Sequence, residues 1–194
     1  MSTQLPTSEP DGGDEVERIL SAAVAVMQRV APGTPRVSDI VAEANSSNKA
    51  FYRYFAGKDE LFLAVMRRGV ALTTTYLERL MAKETDPAEK IARWIEGVLE
   101  QVADPEQLST SRATTAQMSA SANRSVANSD IMSPMRDLLT EPTAALGLSP
   151  LDADAVFLCT TGTMRRFFGA GQRPSADDIA HVVRFCLRGI GVRR

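Results

Sequence analysis

The chain has 194 residues, 44% of them hydrophobic, and a net charge of −2 at pH 7, which suits one large domain or two small ones with a real apolar core. Because a net-acidic chain has no general attraction to nucleic acid, any DNA-binding surface must be local. No apolar run approaches the roughly 18 residues of a membrane span, and the N-terminus lacks the basic and apolar stretches of a signal peptide, so we expect a cytoplasmic protein without a membrane partner.

The first helix follows a short tail. Residues 1–13 are rich in proline and glycine and predict a disordered segment. Asp14 is the expected helix cap, and apolar residues then recur at helical spacing from Val16 to Val30. The run APGTP at residues 31–35 ends this helix.

Two short helices joined by a tight turn are predicted next, between Arg36 and Phe55. The first has an apolar face of Val37, Ile40, Val41 and Ala44. The sequence NSSN at residues 45–48 predicts the turn, since Asn tolerates left-handed backbone. In the second helix Phe51 and Phe55, four residues apart, point inward. This is the pattern of a helix-turn-helix, whose second helix enters the DNA major groove.

The charge of this motif agrees with its shape. Between Ala44 and Lys58 there is no acidic residue, and Lys49, Arg53 and Lys58 are interleaved with two tyrosines. Lys and Arg neutralise phosphates, and Tyr hydroxyls bond to them. The alternative is an ordinary solvated helix face. The longer sequence pattern around these residues is therefore needed to distinguish a DNA-binding motif from such a face.

The run Ile40–Leu61, IVAEANSSNKAFYRYFAGKDEL, resembles the signature of the TetR family of transcriptional regulators, roughly I-A-x-x-A-G-V-S-x-x-x-L-Y-x-Y-F-x-x-K-x-x-L. The matching positions are Ile40, Ala44, Ser47, Phe51, Tyr52, Tyr54, Phe55, Lys58 and Leu61. The chain departs from the pattern at Val41, at Asn45 for the turn glycine, at Ser46 for an apolar residue and at Arg36 for a capping Thr. These departures concern the geometry of the turn and the operator sequence.

The resemblance implies a double-stranded DNA operator, nearly palindromic if the protein is a two-fold dimer. We expect groove contacts from Ser47, Asn48, Lys49, Tyr52 and Arg53. We expect phosphate contacts from Arg36, Ser38, Tyr54 and Lys58, the last at a helix N-terminus that itself favours anions. The alternative for Lys58 is a surface pair with Asp59 or Glu60.

Residues 57–60, GKDE, open a long helix that runs to about Met81. Its expected buried side is marked by Leu61, Phe62, Val65, Gly69, Leu72, Tyr76 and Leu80. In the resembled family this helix links the DNA-binding head to the ligand-binding body. Later helix starts are marked by a capping residue, usually with Pro, at Asp86–Pro87, Asp104–Pro105, Ser133–Pro134, Ser149–Pro150 and Ser175.

The expected architecture is all-α, with about nine helices, because no segment shows the sustained alternation of a strand. Pro142 is expected to interrupt the helix that begins at Ser133. We divide the chain into a disordered tail (1–13), a three-helix DNA-binding domain with the helix-turn-helix (14–58), and a helical effector-binding and dimerisation domain (59–194).

A candidate effector pocket comes from an unusual segment of the body. Residues 109–125, STSRATTAQMSASANRS, are almost all small. Such a segment forms either a cavity wall with hydroxyl groups or a poorly packed helix or loop. The effector of TetR-like proteins lies among the middle helices, and the residues we expect to contact it are Trp94, Val98, Thr114, Gln117, Met118 and Ser121.

Residues 151–168 and 176–190 form two further apolar helices. Proteins of the resembled family pair these two helices with their copies in a four-helix bundle, so we expect a homodimer through them. The alternative is that both helices belong to an intramolecular core.

No enzymatic site is evident, and we predict neither an enzyme nor a cofactor. The single histidine, His181, lies in an apolar helix, and the chain has no nucleophile-elbow or metal motif. Cys159 and Cys186 are expected to be buried thiols. The resulting hypothesis is a repressor released from its operator by a small molecule, with activation as a variant. The alternative is an interaction module or a small-molecule enzyme with a vestigial DNA-binding head.

Overall fold

A computed structural model of the chain describes residues 12–31, 33–103 and 131–192. Within these ranges it has nine α-helices and no strand, which confirms the all-α prediction. The helices are α1 (Gly12–Val30), α2 (Val37–Glu43), α3 (Asn48–Tyr54), α4 (Lys58–Met81), α5 (Pro87–Ala103), α6 (Ser133–Asp137), α7 (Thr140–Ala145), α8 (Pro150–Ala170) and α9 (Ala176–Gly189).

Helices α1 to α3 form an N-terminal head around a compact apolar cluster. Ile19, Met27, Ile40 and Phe51 are fully buried there. Asp14 was expected to cap α1, but the helix begins at Gly12, so Asp14 lies inside the first turn. A carboxylate in that turn still opposes the positive end of the helix dipole. Of the predicted tail, residues 1–11 lie outside the described residues.

Helix α4 is shared by the head and by the rest of the chain. Its first turns contribute Leu61, Phe62 and Val65 to the head cluster. Its second half contributes a different set to the body cluster, Val70, Leu77 and Met81. At 100° per residue these two sets lie roughly a third of a turn apart around the helix. The body therefore packs against a different side of α4 than the head does.

This change of side explains an error in the prediction. Leu72 was expected to be buried because it continues the helical spacing that starts at Leu61 and Val65. In the structure Leu72 is 64% exposed. It lies on nearly the opposite side of α4 from Val70 and Leu77, which face the body.

Helix α5 lies at the centre of the body and packs against α4, α7, α8 and α9. Its inward side is fully buried and consists of Ile91, Trp94, Ile95, Val98 and Leu99. A Cβ atom at Gly97 would lie 2.7 Å from Leu77 Cδ2 and 2.8 Å from Leu80 Cδ1. Glycine at this position thus allows α4 and α5 to approach closely.

The predicted helix boundaries of the body are confirmed where the structure describes them. A turn at Leu138 and Leu139 separates α6 from α7. Leu138 lies four residues before Pro142, which has no backbone N–H and so cannot donate the hydrogen bond that a continuous helix would need there. Helices α8 and α9 each begin with a capping box, made by Ser149 and by Ser175. In the second box, hydrogen bonds from Ser175 lower the pKa of the Asp178 carboxyl. The predicted start at Asp104–Pro105 lies outside the described residues.

Both cysteines are free thiols, as predicted. Cys186 of α9 is buried in the body cluster, and Cys159 of α8 packs against the same cluster and is half-buried. Burial, with a smaller effect from the neighbouring Cys159, raises the pKa of Cys186 to about 12. The nucleophilic form of a cysteine is the thiolate, so Cys186 should be chemically inert in the native protein.

We expect Cys186 to react with a disulfide reagent at pH 8 at least about a hundredfold more slowly in native protein than in urea-unfolded protein, because little thiolate forms when the pKa is high. The Cys159→Ser variant isolates this thiol. The Cys186→Ser variant is the matched control, and its half-buried Cys159 should label without unfolding. The raised pKa of Cys186 also predicts how the free energy of unfolding depends on pH. The contribution of the buried neutral thiol to that free energy is fully present below pH 9 and is lost as the pH rises towards 12. Equal labelling rates for native and unfolded Cys186 would contradict this account.

Candidate nucleic-acid interface

The turn between α2 and α3 depends on one residue in a left-handed conformation. Asn45 has φ 47° and is the only non-glycine residue with positive φ in the described part of the chain. The amide of Asn45 bonds to the carbonyl of Ala42 and the amide of Ser46 to that of Val41. Asn is among the few residues that adopt this backbone at low cost, which confirms the role predicted for it.

Helix α3 is held by its cap and by its inner face. The Ser47 hydroxyl accepts a hydrogen bond from the amide of Ala50 at 3.1 Å. Phe51 is fully buried, and its ring lies 5.6 Å from that of Phe55, which ends the helix. These contacts place α3 against the head core. The opposite side, with Asn48, Lys49, Tyr52 and Arg53, is exposed.

Two side chains project most clearly from this exposed side. Tyr52 is 60% exposed, and its ring meets the edge of Phe51 at 5.1 Å, which limits its freedom. Lys49 has no ion pair among the described residues. An oriented aromatic hydroxyl beside an unneutralised ammonium suits a polyanionic partner.

The flanks of the motif carry the other predicted phosphate contacts. Arg36 is exposed at the cap position of α2 and makes no capping bond with its side chain. Ser38 is exposed, and its hydroxyl donates a long 3.4 Å bond to the carboxylate of Asp39. Lys58 opens α4, and neither Asp59 nor Glu60 pairs with it within the described residues; the Glu60 carboxylate instead accepts from the amide of Ala56 at 2.6 Å.

Glu15 is the residue of this site that the sequence analysis missed. Its carboxylate, only 16% exposed, accepts hydrogen bonds from the Ser46 hydroxyl at 3.0 Å and the Tyr54 hydroxyl at 3.2 Å. The guanidinium of Arg53 lies 3.9 Å from the same carboxylate and 5.6 Å from the centre of the Tyr54 ring. The sequence contains one indication of this contact: Ser46 is polar at a position where the TetR family pattern has an apolar residue.

The predicted effector residues are placed only in part. Trp94 is fully buried, its indole N–H donates to the carbonyl of Met135 at 2.9 Å, and its ring lies 6.1 Å from that of Phe157. Val98, one turn along α5, is 1% exposed. Both belong to the body core. The remaining candidates, Thr114, Gln117, Met118 and Ser121, lie outside the described residues.

Other kinds of site find little support in the described part of the chain. A cleft of about 270 Å³ between α6, α7 and the start of α8 is lined by Arg136, Thr140 and Asp154 among others, but not by Trp94 or Val98. The described residues contain no cluster of three or more His, Cys, Asp or Glu side chains able to hold a metal ion. None of the described helices combines the length and apolarity needed to cross a bilayer.

The family model of bacterial regulatory proteins, tetR family, matches residues 19–65, which run from α1 through the helix-turn-helix into α4. Residues 19–65 are thus similar to the N-terminal domain of the TetR family. The matched segment contains α2, the turn and α3 in full, together with Leu61 and Val65, through which α4 joins the head. Comparison with curated protein sequences gives no match.

Several solved structures are similar in fold to this chain over more than nine-tenths of its length. A TetR-family regulator from Mesorhizobium loti shares 18% identity at a TM-score of 0.73, covering 95% of this chain and 100% of its own. FadR from Bacillus subtilis, solved in complex with stearoyl-CoA, shares 16% at 0.66, covering 92% and 99%. RolR, solved with resorcinol, shares 17% at 0.67, covering 94% and 90%. At such identities the likeness concerns the fold.

Proposed function

We propose that this protein is a transcriptional regulator that binds operator DNA as a homodimer and represses until a small molecule releases it. The observation that carries the DNA-binding part is the exposed side of α3. There Lys49 and Tyr52 project from a helix anchored by Phe51, in a head of the TetR type. In a helix-turn-helix this is the side that faces the major groove.

The proposed contacts divide into groove and backbone. In the groove we place Ser47, Asn48, Lys49, Tyr52 and Arg53, and at phosphates Arg36, Ser38, Tyr54 and Lys58. The exposure of all these side chains except the half-buried Tyr54 and Lys58 supports the assignment. In the observed geometry the Tyr54 hydroxyl donates a hydrogen bond to Glu15, so a phosphate contact by Tyr54 would replace this bond when DNA binds.

The proposed dimer interface is formed by α8 and α9. Leu151, Leu158 and Phe185 are exposed by 75%, 62% and 62% on these helices, whose other sides are buried in the body. Large apolar side chains this exposed cost free energy in water, and a second copy would cover them. A two-fold dimer would also present two recognition helices to one operator and so compensate for the few cations in each head.

The proposed effector is a small organic molecule bound in the body. FadR from Bacillus subtilis was solved with stearoyl-CoA and RolR with resorcinol, so proteins of this fold accept very different ligands. We therefore propose no chemical class for the effector of this chain. For the mechanism, release from DNA requires only that the effector binds the DNA-free conformation more tightly than the DNA-bound one.

A salt titration tests the DNA contacts. We expect Lys58→Ala to weaken binding to the operator and to lower the slope of log affinity against log salt by about two, one phosphate contact for each head of the dimer. The operator is to be mapped on DNA that flanks the protein's own gene. Lys83→Ala, an exposed lysine just after α4, is the matched control and should leave the slope unchanged. An unchanged slope for Lys58→Ala would remove this residue from the interface.

Sedimentation equilibrium tests the dimer. Leu158→Glu combined with Phe185→Glu should convert the dimer to monomer, because burying two carboxylates in an apolar interface is costly. Operator affinity should then fall by at least about tenfold through loss of avidity. The control is Leu72→Glu, which adds a charge at an equally exposed leucine on α4. If the double variant remains a dimer, the dimer interface is formed by another surface.

Fluorescence tests the effector site, because Trp94 is the single tryptophan of the chain. A small molecule that raises the dissociation constant for operator DNA should also quench or shift Trp94 emission over the same concentration range. A ligand-free titration of the same solvent is the blank. Release from DNA with unchanged emission would place the effector away from Trp94 and Val98.

A further inference from the structure

Glu15 connects α1 to both ends of the recognition helix. Ser46 lies in the turn before α3 and Tyr54 is the last residue of α3, and both donate their hydroxyl groups to this one carboxylate. Each oxygen takes a different donor: Ser46 bonds Oε1 and Tyr54 bonds Oε2. The carboxylate therefore bridges the turn and the helix end while it remains fixed to the first turn of α1.

Helix α3 depends on such contacts for its orientation. It has seven residues, far fewer than the roughly 12 to 15 that an isolated helix needs to be even marginally stable in water. Phe51 and Phe55 attach one side of it to the core, but an apolar contact is non-directional and leaves rotation and tilt less defined. Hydrogen bonds at both ends are directional, and bonds to a charged group are about twice as strong as neutral ones.

The carboxylate also influences Arg53. The guanidinium lies 3.9 Å from Glu15 and 5.6 Å from the centre of the Tyr54 ring. It is thus attracted towards the α1 side of α3 and stacked against an aromatic ring that Glu15 itself holds. Arg53 is exposed at the protein surface, so it remains accessible to DNA while these two contacts orient it.

We propose that Glu15 is a positioning residue for operator recognition, which presets the turn, the tilt of α3 and the direction of Arg53 before DNA binds. This inference rests on the proposed DNA-binding function. The direction in which DNA affinity changes when Glu15 is removed can test the proposal, because a carboxylate in a DNA-binding head repels phosphates. Electrostatics alone predicts that removing Glu15 tightens DNA binding, whereas positioning predicts that operator binding weakens.

The experiment compares Glu15→Ala with Asp14→Ala in the full chain. Both variants remove one carboxylate from the first turn of α1, but Asp14 has no hydrogen bond or ion pair to the described residues of α3 or the turn. Affinity is measured for two probes, the mapped operator duplex and a random-sequence duplex of equal length. Glu15→Gln removes the charge but keeps an acceptor oxygen.

For Glu15→Ala we expect operator binding about tenfold weaker, the loss expected for one charge-assisted hydrogen bond, with random-sequence binding unchanged or tighter. The ratio of the two affinities therefore falls. Asp14→Ala should keep the ratio of the wild type, and Glu15→Gln should recover part of the loss. If Glu15→Ala matches Asp14→Ala with both probes, Glu15 acts only as a charge and the proposal is wrong.

A second measurement needs no DNA and separates this proposal from the proposed function. Hydrogen exchange at the amides of Phe51 and Phe55, which bond to the carbonyls of Ser47 and Phe51, should be about tenfold faster in Glu15→Ala than in Asp14→Ala. The double variant Glu15→Ala with Ser46→Val leaves no orphaned partner in the turn and should exchange more slowly than Glu15→Ala alone. Faster exchange without specific DNA binding by the wild type would refute only the DNA-binding function. Unchanged exchange would overturn the positioning role.

Discussion

The structure depends on a single helix that two apolar cores share. The N-terminal turns of α4 complete the head cluster, and its C-terminal half is a wall of the body cluster. An ion pair of 2.9 Å between Arg68 and Glu17 adds a polar contact between α4 and α1 near the join. Because α4 uses different sides for the two cores, any rotation or tilt that the body imposes on it also moves the head.

This arrangement gives the proposed regulation a physical route. Gly97 brings α5 close to Leu77 and Leu80, so the body contacts α4 through a closely packed surface rather than a loose one. Packed surfaces respond to a change of contact by shifting as a unit. A ligand that alters the packing of α5 against α4 would therefore change the position of the head, and with it the spacing of two heads in a dimer.

The net charge of the chain is negative, but the head carries exposed positive charges that suit the proposed DNA partner. Lys49 and Lys58 carry positive charge without an ion pair among the described residues, whereas Arg53 shares its charge with Glu15. The proposed DNA contacts of these residues lie on α3 and at the start of α4. The shape of the helix-turn-helix comes from Asn45, which allows the tight turn, and from Phe51, which fixes the inner side of α3.

Local patterns in the sequence predicted the local structure well. The capping residues marked the starts of α8 and α9, Pro142 marked the break before α7, and NSSN marked the turn. These features depend on a few neighbouring residues, so the sequence contains all the information they need.

Contacts between distant residues were harder to predict. Leu72 was expected to be buried because helical spacing assumes one packing partner along a helix, and α4 has two. Glu15 was missed because its partners are 31 and 39 residues away in the chain. Trp94 was expected to line the effector pocket; the structure shows that it is buried and bonded to the carbonyl of Met135, and its contact with an effector stays a prediction.

Hydroxyl-radical footprinting of the protein on DNA flanking its own gene would decide whether it is a dimeric operator-binding regulator. Such a regulator should protect two backbone stretches, related by two-fold symmetry and one helical turn or a multiple apart, and both should disappear together as salt rises. Protection without symmetry, or equal protection of any sequence at low salt, would contradict a dimeric operator-binding regulator.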